Sequence, residues 1–170
     1  MIKKVGKLLV ALNGNASKDQ IAAGFAWGLL LGLVPISNFF GIVLFIVSFF
    51  FNHNHGAKLF GMAVIKLISP LLLPLVDLLG WQILYIRSLQ PLFTTMYNMP
   101  FVPFTKFNNT LVMGGLVGGL ILWLPMFFLF RAFIPVYRNT LAPLIRESKL
   151  FKKIAKSPLL IFVDKYLKKD

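Results

Sequence analysis

The chain has 170 residues, of which 58% are hydrophobic, 15% aromatic and only 14% charged. This apolar share exceeds that of soluble domains, so the sequence predicts an integral membrane protein built as one compact unit with polar ends. The absence of cysteine excludes disulfides and thiolate metal sites. The net charge of +13 lies mainly at the chain ends, and binding to anionic lipid explains this charge more simply than binding to nucleic acid.

The N-terminal segment, residues 1–12, predicts an amphipathic helix that lies in the membrane surface. Its apolar residues fall on one side of a helical wheel, opposite Lys3, Lys4 and Lys7. We expect these lysines to contact anionic lipid. The segment has only a very short apolar patch and no small-residue cleavage site, so we expect it to be retained rather than removed as a signal peptide.

Residues 18–51 predict a helical hairpin, and its first helix begins with a capping box formed by Ser17 and Gln20. The small residues Gly24, Gly28 and Gly32 recur at every fourth position, which leaves one face of that helix without side-chain bulk. We expect a helix of a partner protein to pack into this face. Leu30, by contrast, is expected to face lipid.

The apolar run of this first helix stops at Pro35, after a length of about 22 Å at 1.5 Å per residue. A bilayer core is about 30 Å thick, so the helix is too short to cross it. A second run, residues 39–51, is shorter still. The lengths favour a re-entrant hairpin that enters and leaves on one side, with two short full crossings as the alternative.

The tip of this hairpin carries two polar residues, Ser37 and Asn38. They begin the second half-helix, whose free N–H groups and positive dipole end would point into the membrane. The tip is therefore a candidate site for a ligand or a lipid headgroup. The simpler alternative is that Ser37 only caps the helix.

Residues 52–56 predict a polar loop that contains His53 and His55. Two histidines are candidate metal ligands, but residues two apart do not share a helix face and no carboxylate lies nearby in sequence. The sequence favours a solvated loop and predicts no metal site.

Residues 57–86 are long enough to cross a bilayer, and Pro70 and Pro74 predict a kinked or broken span. Lys66 and Asp77 lie inside it, and charges within a membrane are functional candidates. They would stand about 16 Å apart along the helix, too far to pair directly. The alternative is that Lys66 snorkels and that Asp77 pairs with Arg87 near the opposite interface.

Residues 87–109 combine prolines with aromatic residues, which predicts an ordered loop at the membrane interface. Residues 110–130 predict the clearest spanning helix. Its paired glycines give a second smooth face for partner-helix packing: Gly114, Gly115, Gly118 and Gly119.

Residues 1–137 thus predict the membrane domain, and residues 138–170 a basic cytoplasmic tail. Within this tail one side of a predicted amphipathic helix is basic and should contact anionic lipid, through Lys149, Lys152, Lys153 and Lys156. The positive-inside rule places both termini in the cytoplasm. The predicted fold class is therefore an all-α, multi-pass membrane protein.

Two stretches resemble a known family. ASKDQIAAGFAWGLLLGLVP is similar to the opening of a widespread bacterial membrane family of unknown function, and LFTTMYNMPFVPFTKFNNTLVMGG looks like a narrower subgroup of it. Together the matches bracket most of the chain up to about Tyr137. The resemblance implies an inner-membrane protein that is often encoded beside a much larger envelope protein similar to the AsmA-like lipid-transfer bridges.

The sequence contains no phosphate-binding loop, metal-ligand cluster or nucleophile-base set, so we expect neither enzymatic activity nor a cofactor. A lipid-modifying enzyme would need residues that the sequence does not supply. We expect a non-catalytic subunit that docks the AsmA-like protein and admits phospholipid to it. The alternative is a small oligomeric channel or transporter that uses the broken helices and Asp77.

Overall fold

The computed structural model describes residues 16–141, and the predictions for residues 1–12 and for the tail lysines lie outside that range. Every regular element in the described range is helical. The α-helices are α1 (Lys18–Leu33), α2 (Phe39–Val47), α3 (His55–Leu84), α4 (Gln90–Tyr97) and α5 (Thr110–Val136). Short 3₁₀ turns occupy Ser48–Phe50, Arg87–Leu89 and Val102–Thr105, and one turn of π-helix occupies Tyr137–Leu141. The all-α prediction is confirmed for this part of the chain.

The chain divides into two compact units, Met1–Arg131 and Ala132–Asp170. The first contains α1 to α4 and most of α5. In the second, the described residues are the last turn of α5 and the turn of π-helix that follows it. All contacts discussed below lie within the first unit.

Helix α1 begins and ends where the sequence predicts. The Ser17 hydroxyl accepts a hydrogen bond from the Gln20 backbone N–H at 3.1 Å, and the Gln20 side chain accepts one from the Ser17 N–H at 3.2 Å. This reciprocal pair is a capping box. The helix stops because Pro35 forces the residue before it out of the helical region, and Val34 is extended with ψ 132°.

Helix α2 is capped by Asn38 rather than by Ser37. The buried Asn38 side chain accepts a hydrogen bond from the Gly41 N–H at 2.7 Å, whereas Ser37 is exposed. The alternative in which Ser37 caps this helix is therefore wrong. The amide oxygen of Asn38 instead binds one of the N–H groups at the start of the helix.

The two ends of the α1–α2 hairpin lie side by side. The Asn54 N–H donates to the Gln20 carbonyl at 2.8 Å, and the Gln20 amide donates to the Asn52 side chain at 3.0 Å. Helix α3 then starts beside the start of α1 and runs parallel to it, since Gly24 faces Ala57 and Gly32 faces Ile65. At 1.5 Å per residue α1 is about 24 Å long and α3 about 45 Å, so the hairpin tip reaches about halfway along α3.

Helix α3 runs without interruption through Pro70 and Pro74. Pro70 cannot donate to the carbonyl of Lys66, and the Ser69 hydroxyl donates to that oxygen instead, at 2.8 Å. A hydroxyl on the neighbouring residue thus replaces the missing backbone bond, as in other proline-containing apolar helices. Of the two predicted forms, a kinked or a broken span, the broken one is therefore wrong.

Helix α5 runs antiparallel to α1 and returns to the level where α1 begins. Gly115 lies against Leu33 near the end of α1, whereas Arg131 makes an ion pair with Asp19 in its first turn, at 2.8 Å. Between them, the ring of Phe130 stacks on that of Phe25 with 3.9 Å between centroids. Helix α1 is consequently enclosed by its neighbours.

The enclosure of α1 explains why most of its side chains are buried, whatever their position on the helical wheel. Ile21, Ala22, Ala26, Leu30 and Leu31 are all inaccessible or nearly so. The expectation that Leu30 faces lipid is therefore wrong, because α5 approaches it at Gly119. Sequence spacing alone does not distinguish a helix buried on all sides from one that faces lipid.

Among residues 16–141, two helices are long and apolar enough to cross a membrane. They are His55–Leu84, with 30 residues, and the 31-residue helical stretch Thr110–Thr140, which includes α5. Helix α2 with the 3₁₀ turn that extends it, Phe39–Phe50, is apolar but shorter. The chain thus combines two helices of spanning length with a hairpin of about half that depth.

Candidate functional site

The glycine face of α1 is filled by the chain's own helix α3. A Cβ atom added at Gly24 would stand 2.5 Å from the Asn54 carbonyl oxygen, and one at Gly28 would stand 2.7 Å from that of Lys58. At Gly32 it would stand 2.5 Å from the Cβ of Ile65. The sequence correctly located a close helix–helix contact, but the prediction that a partner protein fills this groove is wrong.

The glycines of α5 are also used inside the chain. Gly114 lies against the backbone of Val76 and of Gly80, so two helices meet there with no side chain between them. A Cβ at Gly115 would stand 2.7 Å from the Leu33 carbonyl oxygen, and one at Gly119 2.5 Å from Leu30. The contact at Gly118 is less close, since an added Cβ would stand 3.2 Å from the side chain of Leu79. These glycines hold α5 against α1 and α3 rather than against another protein.

Lys66 lies at the tip of the hairpin and does not snorkel. Its ammonium group donates a hydrogen bond to the carbonyl oxygen of Val34, at 2.9 Å. Val34 is the C-cap of α1, where backbone carbonyls lack helical donors and the helix dipole is negative. The lysine on α3 therefore fixes the end of α1, a contact between residues 32 positions apart that sequence spacing cannot give.

Asp77 pairs with neither Lys66 nor Arg87. Its carboxylate accepts a hydrogen bond from the hydroxyl of Thr110, the first residue of α5, and the contact is exposed. A carboxylate at a helix N-terminus complements the positive end of the dipole. The predicted pairing of Asp77 with Arg87 is thus replaced by a contact that positions α5.

A second polar cluster, which the sequence did not single out, lies at the base of the hairpin and is centred on Lys58. The side chain of Lys58 is 0% exposed, and its Nζ donates to the hydroxyl of Ser48 at 2.8 Å. The same nitrogen lies 3.8 Å from the ring centroid of Phe49 and 4.9 Å from that of Phe45, as in cation–π contacts.

The two histidines of the predicted loop differ from each other. His53 is only 7% exposed, whereas His55 is exposed and lies in the first turn of α3. Their rings meet edge to face with 4.7 Å between centroids, and His53 also lies over Trp27 at 6.1 Å. The solvated-loop prediction is therefore wrong for His53.

Burial lowers the pKa of His53 to about 4, because the interior disfavours the charged imidazolium. The positive charges of Lys58 and His55 act in the same direction, and the backbone of Phe51 acts against them. His53 is consequently neutral at physiological pH. No group of three or more metal-ligating side chains occurs among residues 16–141, so the two histidines do not form part of a metal cluster there.

Comparisons with known proteins give a family but no activity. A family model described as an uncharacterized protein conserved in bacteria (DUF2062) matches residues 4–141. An uncharacterized protein of Treponema pallidum (strain Nichols) is 33% identical over 159 residues, which cover 94% of this chain and 98% of that protein. No solved structure matches the chain significantly.

Proposed function

We infer that this chain, which belongs to the uncharacterized bacterial family DUF2062, is a non-catalytic inner-membrane subunit that docks a larger AsmA-like lipid-transfer protein and admits phospholipid to it. In this proposal α3 and α5 cross the membrane, the α1–α2 hairpin is re-entrant from the cytoplasmic side, and both termini are cytoplasmic. The partner follows from the resemblance in sequence.

The observation that carries the proposal is the arrangement of the hairpin within the first unit. Its ends lie together beside the start of α3, and its tip stops about halfway along α3, where Lys66 binds the Val34 carbonyl. A 16-residue helix is too short to cross the bilayer, and an end whose carbonyl is bound by a part-buried lysine does not need to reach water. The arrangement supports a compact scaffold in which the hairpin braces the two spans.

The docking face must lie elsewhere than at the glycines, which are already occupied. The most exposed row of large side chains on α3 consists of Leu67, Leu71 and Leu75, which are 81%, 80% and 66% exposed. Four-residue spacing aligns them on one side of the helix. Pro74 lies beside this row and leaves the carbonyl of Pro70 without its helical donor. We assign this leucine row as the docking face.

The occupant of the leucine row would be a single apolar transmembrane helix of the AsmA-like protein. Apolar side chains would pack on the leucines, and a serine or threonine could donate to the Pro70 carbonyl, as hydroxyl side chains do between membrane helices. Phospholipid would enter beside this contact from the inner membrane.

The proposal is tested by mild detergent extraction of the chain at native expression, followed by mass identification of co-purifying proteins and lipids. We expect a large AsmA-like protein to be recovered, and its amount in the membrane to fall when the chain is deleted. Recovery of the chain alone, together with an unchanged level of that protein in the deletion strain, would contradict the proposal.

A second candidate function, a small oligomeric channel or transporter, is favoured by the polar groups at the hairpin tip. Discontinuous helices in transporters bring such groups to the substrate. Purified protein in liposomes would then conduct ions or small solutes, and either Lys66→Met or Asp77→Asn would reduce the flux. The docking proposal expects no flux from the isolated protein.

A further inference from the structure

The base of the hairpin contains a buried positive charge with no acidic partner. Lys58 is fully buried, and its hydrogen-bond and ring partners are all neutral: Ser48, Phe49 and Phe45. Within residues 16–141 the carboxylates are those of Asp19 and Asp77, and both are engaged elsewhere. A buried ammonium without a counter-charge is costly, so this site is short of one negative charge.

The neighbouring His53 adds buried ring nitrogens whose contact with the Phe51 backbone falls short of a well-formed hydrogen bond. Its side chain is more than nine-tenths buried, and neither ring nitrogen makes a hydrogen bond of ordinary geometry in the described structure. A buried donor or acceptor that lacks a partner costs about 1–3 kcal/mol. A ligand that accepts a hydrogen bond would satisfy the N–H group of the neutral ring.

The position of the cluster favours the same kind of ligand. His53 and Lys58 flank the first turn of α3, whose N-terminus is capped by Asn54 and carries the positive end of the dipole of a 30-residue helix. His55, in that turn, is exposed and gives the cluster a side open to solvent. The helix end, the lysine and the histidines all favour an anion.

We propose that Lys58, His53 and His55 form a binding site for a phosphate group, supplied either by a lipid headgroup or by a soluble phosphate compound. The several oxygens of a phosphate can accept hydrogen bonds from an ammonium and from imidazole N–H groups at once. The ring of Phe49 is half-exposed and lies over the ammonium, so rotation of this one side chain gives the ligand access to Lys58. The site does not depend on the docking of a partner protein.

The exposed aromatic residues beside the cluster suit a lipid ligand. Phe50 is 86% exposed, and Phe49 and Phe51 are about half-exposed. They precede the cluster directly along the chain, so acyl chains of a lipid whose phosphate is bound there would have apolar surface to contact. A soluble phosphate would use only the polar part of the site.

Binding of an anion reverses the electrostatics of His53. Without ligand, burial and the charge of Lys58 hold the His53 pKa at about 4. A bound phosphate carries negative charge next to the ring and stabilises the imidazolium, so the pKa rises. Affinity for phosphate should consequently increase as the pH falls from neutral toward the pKa of the unliganded protein.

The test uses the full chain in a maltoside detergent after removal of lipid, with two separate probes. Inorganic phosphate is titrated while the nitrogen NMR signals of the histidines are followed, and phosphatidylglycerol is added in native mass spectrometry. We expect at least one probe to bind and to raise the His53 pKa. Binding of the lipid alone identifies a headgroup site, and binding of inorganic phosphate identifies a site open to soluble phosphate.

Lys58→Met removes the buried charge at nearly constant volume and should weaken binding about tenfold or more, the scale of one charge-assisted hydrogen bond. The matched control is Lys18→Met, which removes an exposed charge at the same end of the bundle and should leave binding unchanged. If Lys58→Met does not fold, phosphate binding at the site is tested by the His53 pKa of the native chain, measured with and without each probe. An unchanged His53 pKa with both probes, or equal loss of binding in the two variants, would overturn the proposal.

Discussion

The ammonium group of Lys66 donates a hydrogen bond to the carbonyl oxygen of Val34, across 2.9 Å, and so joins helix α3 to the tip of the hairpin. The acceptor is a C-cap carbonyl that Pro35 separates from any further helical donor. The contact explains how a helix can end about halfway along α3 in apolar surroundings.

Replacement of this lysine should loosen the hairpin tip. Lys66→Met keeps the apolar stem but leaves the Val34 carbonyl without its donor, so we expect a loss of about 1–3 kcal/mol in the free energy of unfolding. Thermal unfolding in detergent measures it. The control is Leu67→Met on the adjacent exposed position. Equal stability of the two variants would show that the hydrogen bond does not hold the tip.

The glycine contacts give a second prediction. Gly28→Leu places a branched side chain where the Lys58 carbonyl oxygen and the Gly61 backbone already stand within 3.0 Å of an added Cβ. Helices α1 and α3 must then separate, and we expect a loss of about 3 kcal/mol or more or a failure to fold. Leu71→Ala, at a highly exposed position, should change stability little.

The structure predicts that Gly28→Leu destabilises the chain itself, whereas the sequence alone suggests that it disrupts packing with a partner protein. Suppose that Gly28→Leu destabilised only the complex with a partner and left the isolated chain as stable as before. The packing of α3 on the glycine face of α1 would then be contradicted. Circular dichroism of the purified chain separates the two outcomes, because it needs no partner.

The topology can be tested with single cysteines, since the native chain contains none. Ser17→Cys and Asn52→Cys lie at neighbouring ends of the hairpin, so both should react with a membrane-impermeant maleimide from the cytoplasm. Tyr97→Cys should react from the periplasm. Periplasmic labelling of Ser37→Cys would replace the re-entrant hairpin with two full crossings.

His53 predicts a dependence of stability on pH. Its pKa is about 4 in the folded chain, whereas an unperturbed histidine has a pKa of 6.5, so below pH 6.5 the unfolded chain binds a proton that the folded chain does not. Stability should be full above pH 6.5 and fall toward pH 4, by about 3 kcal/mol at most. In phosphate-free buffer, His53→Phe should flatten this part of the profile. Identical profiles for the two proteins would contradict the buried, neutral His53.

The sequence predicts local structure well where the cause is local. The capping box at Ser17, the end of α1 before Pro35 and the close approach at Gly24, Gly28 and Gly32 follow from residue types and short spacings. The sequence could not identify which helix fills a glycine face. A groove that accepts the chain's own α3 has the same pattern as one that accepts another protein.

The polar sites were less predictable, because their partners are distant in sequence. Lys66 binds a carbonyl 32 residues away, and Asp77 binds a hydroxyl 33 residues away. The burial of Lys58 could not be predicted, because a lysine near the start of an apolar helix is usually solvated and its burial depends on how the hairpin folds over it. The close spacing of His53, His55 and Lys58 in the sequence was the one pattern that could have indicated this polar cluster.

The measurement that tests the docking function most directly is photocrosslinking in living cells, with a photoreactive phenylalanine placed at Leu71 and, as the matched control, at Ile121. Both positions are highly exposed and apolar, but Leu71 belongs to the leucine row of α3 and Ile121 lies on α5. We predict a crosslink from Leu71 to a large AsmA-like envelope protein and none from Ile121. Crosslinks to lipid alone from both positions, with solute flux through the purified chain in liposomes, would contradict it.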